Sequence, residues 1–136
     1  MHNLKFVLPL IVFCNLAMAQ LEPVNLALSA PNVEDVLVGE DGLLWVGTTE
    51  GLNVFYDDES HVFYSKIEDS LSLLNSGIKD LFITQNNNVF ALTRGGLNVY
   101  NQKGFSFQRI PMESTPTGAW ENPLGTIWIS TAQTGI

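Results

Sequence analysis

Few residues of this chain are of types that do chemistry. Asp57-Asp58-Glu59 places three carboxylates in a row, close to His61. Three carboxylates suit a hard cation such as calcium, but a calcium loop spaces its oxygen ligands at alternate positions. A consecutive run reads instead as a solvated hairpin. His61 has no second histidine at a metal-binding spacing, and it follows Ser60 in an expected turn. His2 and the only cysteine, Cys14, lie near the amino terminus. The chain has no G-x-S-x-G elbow and no phosphate loop. Arg94 remains, a single cation in the turn Thr93-Arg94-Gly95-Gly96, where it could meet an anionic ligand or simply face solvent. These residues imply no catalytic centre, no metal site and no cofactor.

The elements that carry these residues repeat. Leu43–Tyr56 reads Leu-Leu-Trp-Val-Gly-Thr-Thr-Glu-Gly-Leu-Asn-Val-Phe-Tyr, and Val89–Tyr100 returns it as Val-Phe-Ala-Leu-Thr-Arg-Gly-Gly-Leu-Asn-Val-Tyr. Trp45 maps to Phe90, Thr48 to Thr93, Gly51 to Gly96 and Leu52 to Leu97, all 45 positions apart. A third copy starts at Thr126, with Trp128 and Thr131 placed 38 positions after Phe90 and Thr93, and Gly135 one residue later still. Repeats near this length, built from short strands and turns, indicate β-propeller blades. Leu43–Thr48 is apolar on both parities, as in a strand covered on both faces. Gly47 suits a close approach by a neighbour. Gly51 suits a turn with positive φ.

The expected fold is therefore all-β, with four-stranded antiparallel blades. Blade one takes residues 33–77, blade two 78–116 and a partial blade three 117–136. Val33–Val38 opens blade one, and Val62-Phe63-Tyr64 is its outer strand. In blade two, Ile78–Thr84 comes first, with Ile78, Asp80 and Phe82 on one face. Pro111–Thr117 reads as a loop, followed by Gly118-Ala119-Trp120 as a first strand.

These motifs resemble the two-component regulator propeller repeat. Its pattern is an aspartate-glycine turn, then W-x-G-T, a short turn, and G-L leading a strand. Asp41-Gly42, Trp45-Val46-Gly47-Thr48 and Gly51-Leu52 follow it in copy one. Copy two has Asn86-Asn87 at the turn, with Phe90 and Leu92 replacing the tryptophan and the first glycine. Copy three has Gly125 and Trp128, with Ser130 at the glycine position. The resemblance covers Val33 to Ile136. It implies the periplasmic, ligand-sensing part of a hybrid two-component sensor, associated with glycan breakdown products. The kinase and DNA-binding parts of such sensors have no counterpart in this sequence. A secreted propeller enzyme, such as a polysaccharide lyase, and a protein-binding scaffold are the other readings. The reading frame downstream of codon 136 would separate them.

Residues 1–19 combine Lys5, the apolar run Phe6–Phe13 and Ala17-Met18-Ala19. This is the layout of a cleavable secretory signal, and the run is too short to span a bilayer. Residues 20–32 form a short segment in which Leu26-Ala27-Leu28 could be a strand awaiting a partner. The formal net charge is −8, from 6 Lys+Arg against 14 Asp+Glu. Such a chain is poorly suited to nucleic acid or anionic lipid, both of which call for basic surface. Because a propeller needs roughly four to eight blades, the chain is expected to be part of a longer protein, or else to assemble with copies of itself. As an isolated chain it is expected to lack a complete oligosaccharide site.

Overall fold

The computed structural model describes residues 26–57 and 59–133. The signal segment, Cys14, Asp58 and Gly135 lie outside them. Strands β1 (Val33–Val38), β2 (Leu44–Thr48), β3 (Gly51–Tyr56) and β4 (Glu59–Phe63) form an antiparallel meander. A second meander follows with β5 (Ile78–Ile83), β6 (Val89–Thr93), β7 (Gly96–Asn101) and β8 (Ser106–Pro111). β9 (Pro116–Glu121) and β10 (Ile127–Thr131) pair as the inner half of a third. These are two complete blades and the start of another. No helix among the described residues is long and apolar enough to cross a membrane.

The blades stack face to face, which is why β2 and β6 are buried almost throughout. The joint between blades one and two holds Trp45, Val54, Phe63, Ile78, Leu81 and Phe107. The next joint holds Phe90, Leu92 and Leu97 against Ala119, Ile127 and Ile129. Gly47 is required at the first joint. A Cβ there would lie 2.5 Å from Ile78 Cγ2.

Each blade opens with the same irregularity. Val33, Ile78 and Pro116 pair with the motif threonines Thr48, Thr93 and Thr131, and the register then slips by one residue. The extra residues are Glu34, Lys79 and Thr117. A bulge reverses the face of everything before it. Ile78 therefore packs with Leu81 and Ile83 against blade one, while Phe82 packs toward blade three. Strict alternation had put Ile78 with Asp80 and Phe82.

Three boundaries also differ from the sequence expectation. β4 begins at Glu59, so His61 is a strand residue opposite Val54 rather than part of a turn. Pro116 belongs to blade three, because it opens β9. Leu26-Ala27-Leu28 is irregular, not a strand. The segment that contains it serves as the linker of the first copy. Ser29 N donates to Asn53 Oδ1 at 2.9 Å, and Leu74 N, 45 residues on, donates to Asn98 Oδ1 at 2.7 Å.

Candidate functional site

The repeat-motif residues build turns and locks. Gly42, Asn87 and Gly125 occupy the same turn position, with φ of 81°, 60° and 83°. Each donates its N–H to the carbonyl three residues back, in Gly39, Thr84 and Asn122. Asn87 can replace glycine because asparagine tolerates the left-handed region better than most residues. Asp41 Oδ1 accepts from Leu43 N at 3.1 Å, closing an Asx turn. Thr48 Oγ1 donates to the Gly51 carbonyl at 3.0 Å, and Thr93 Oγ1 to that of Gly96 at 3.3 Å. Leu52 and Leu97 are buried behind these turns.

Two locks escaped the sequence reading. Asn53 and Asn98 are fully buried. Asn98 Nδ2 donates to the Ala91 carbonyl at 3.0 Å and to Thr93 Oγ1 at 3.1 Å, while Asn53 Nδ2 donates to the Val46 carbonyl at 3.1 Å. The shared Gly-Leu-Asn of copies one and two was the available signal. Arg109 is the other. Its Nε donates to the Ser72 carbonyl at 2.7 Å, and its Nη2 to the Asp69 and Leu73 carbonyls at 2.7 and 3.1 Å. This guanidinium pins the linker between blades one and two. Arg94 sits exposed in the β6–β7 turn. Asp57 is an exposed hairpin residue, and no group of three or more metal-ligating side chains forms among the described residues.

The inner strands bring together a pair the sequence did not suggest. Asp35 and Asp80 each follow the bulge of their own blade. Asp35 Oδ2 accepts from Leu81 N at 2.8 Å, across the joint. Asp80 stands beside Asp35. Burial first, then the neighbouring Asp35 carboxyl, push Asp80 up to about 6 from 3.8. A neighbouring carboxylate disfavours a second negative charge, so Asp80 keeps its proton to higher pH. The folded state therefore holds this proton more tightly than the unfolded chain. Its stabilising contribution is complete below about pH 4 and is lost as pH rises through 6. Both groups are partly exposed, so screening limits the effect to the order of 1 kcal/mol. Asp80→Asn should flatten this part of the pH–stability profile in denaturant unfolding, since an amide does not titrate. An unchanged slope between pH 4 and 7 would refute the assignment.

Asp41, Trp45, Asn87, Asn88, Tyr100 and Lys103 line a cleft of about 250 Å³ at the end of the joint between blades one and two. Tyr100 is raised above its usual range, by burial and then by Tyr56 and Asp41, so it keeps its proton at neutral pH. The cleft offers amides, a phenol, a carboxylate and an ammonium beside aromatic rings. That is hydrogen-bonding chemistry for a polar molecule.

The fold defines a stack of propeller blades. No protein-family model matches the chain, and no curated protein matches it. Solved structures do share its fold. One is described as the extracellular domain of a one-component system, BT4673 of B. thetaiotaomicron, with a TM-score of 0.60 and 19% identity over 74% of this chain. Another is the extracellular domain of a hybrid two-component system, BT3049 of the same organism, with a TM-score of 0.56 and 22% identity over 71%. The chain spans 15% and 14% of the length of these two structures.

Proposed function

We propose that this chain is part of the ligand-sensing propeller of an exported regulatory protein of two-component type, and that it does no catalysis itself. The observation that carries this reading is the shared fold with extracellular domains of a one-component and a hybrid two-component system. The ligand in this reading is an oligosaccharide released by glycan breakdown. The polar, aromatic-walled cleft at Asp41, Asn87 and Tyr100 suits hydroxyl-rich molecules. Residues 1–19 act as the export signal, and residues 33–136 as the blade array. Deleting the gene in its host should abolish the transcriptional response to one class of oligosaccharide. Unchanged transcription on every glycan offered would overturn the reading. Export has its own check. Intact mass of the periplasmic protein should correspond to a chain beginning at Gln20, and retention of Met1–Ala19 would contradict cleavage.

A further inference from the structure

The outer hairpin of blade two is longer than its counterpart in blade one. Tyr56 and Asn101 are equivalent positions, 45 apart, at the ends of β3 and β7. Tyr56 pairs with Glu59, so two residues turn the first hairpin, whereas Asn101 pairs with Ser106, so four turn the second. An insertion confined to one copy of a repeat falls in a loop, often on the binding face. Here the loop is Gln102-Lys103-Gly104-Phe105. Lys103 borders the polar cleft at Asp41 and Asn87, Phe105 borders a second hollow of about 350 Å³, and Gln102 and Tyr100 border both. Leu43, Val54 and Tyr56 of blade one complete the second hollow. All walls of both hollows come from blades one and two, which are complete. Phe105 itself stands against two preferences. Its φ of 47° lies in the left-handed region, which a bulky residue rarely adopts. Its ring is 58% exposed, and Tyr100 and His61 meet it only edge-on with centroids 6.5 Å away. Packing therefore returns little for the strain, and strain of this kind collects at ligand-binding positions.

We propose that the hollow at Phe105 is a second subsite continuous with the polar cleft, and that it takes the next sugar ring of an oligosaccharide whose first ring lies against Asp41, Asn87 and Lys103. This rests on the glycan-sensing reading above. The polar cleft alone, at about 250 Å³, is smaller than the roughly 300–1,000 Å³ of ordinary ligand sites, and the two hollows together fall within that range. A sugar ring has a polar rim and an apolar face of C–H bonds. The rings of Tyr56, Tyr100 and Phe105 offer that face apolar surface to bury against. Gln102, at the seam, brings an amide that can both donate to and accept from hydroxyl groups. A wholly apolar ligand would leave the charges and amides of the polar cleft without partners. A single sugar would occupy only the polar end. The groove therefore selects for length.

Titration calorimetry on the protein in the form its host exports tests this. The probes are the methyl β-glycosides of glucose, galactose, mannose and xylose, each set against the β-1,4-linked disaccharide of the same sugar. In at least one pair the disaccharide should bind about tenfold tighter than the methyl glycoside. Phe105→Gly should bring the two affinities level. It should also unfold at or above the wild-type denaturant midpoint, because glycine relieves the left-handed φ. Phe105→Tyr should keep the gain, since it keeps the ring. Lys103→Ala should weaken both members of the pair alike. Level affinities in every pair of the wild type overturn the second subsite, and so does a Phe105→Gly protein that keeps the gain. Either result leaves the sensor reading intact. If no probe binds, the subsite is overturned, and the sensor reading falls with it only if the transcriptional response to glycans is missing too.

Discussion

Trp45→Ala is expected to lower the unfolding free energy by about 3–5 kcal/mol. Trp45 is the largest fully buried side chain. It stacks at 6.4 Å on Phe63 of its own blade and meets Tyr100 of the next edge-on at 4.7 Å. Truncation would open a cavity between two sheets. Backbone pairing holds each sheet in shape, so neither can easily bend inward to fill the space. Denaturant unfolding measures the loss. Trp45→Phe separates packing from polarity. The indole Nε1 has no hydrogen-bond partner, and copy two already carries Phe90 at the equivalent position. The phenylalanine variant should therefore cost no more than about 1.5 kcal/mol. His61→Ala is the surface control. His61 is an exposed strand residue with its ring edge-on to Phe63 at 4.5 Å, and its loss should stay within about half a kcal/mol. Equal small effects for Trp45→Ala and His61→Ala would contradict the packing described for this joint.

Asn98→Ala should cost about 2–4 kcal/mol although it removes little apolar surface. The side chain accepts from Leu74 N of the linker and donates to the Ala91 carbonyl and Thr93 Oγ1 inside blade two. An alanine leaves a backbone donor from the linker and a carbonyl from β6 without their partner, and each such buried group costs about 1–3 kcal/mol. Asn98→Asp should not rescue the loss, because a carboxylate cannot donate to the Ala91 carbonyl and is itself costly to bury. Hydrogen exchange would localise the effect to residues 71–77, whose attachment to blade two runs partly through this amide. If Asn98→Ala unfolded at the wild-type denaturant midpoint, the amide would not be the lock between linker and blade.

The sequence by itself determined the repeat, the turns and the residues that the turns require. Those are local properties. A left-handed turn position needs Gly42, Asn87 or Gly125 whatever surrounds it, and a strand covered on both faces must be apolar on both parities, as in Leu44–Thr48. Only the tertiary structure decided which side chains meet. The bulges at Glu34, Lys79 and Thr117 reverse strand parity without any distinctive residue, so alternation alone put Ile78 on the wrong face. Asn53 and Asn98 stand in plain view in the repeat, but their partners Ser29 and Leu74 come from linkers 24 residues earlier. Asp35 reaches Leu81 N although they are 46 positions apart, because stacked blades set neighbouring positions of successive copies side by side. A repeat therefore shows which positions are equivalent, whereas contact between the copies depends on how the blades stack, a geometry that no single copy encodes.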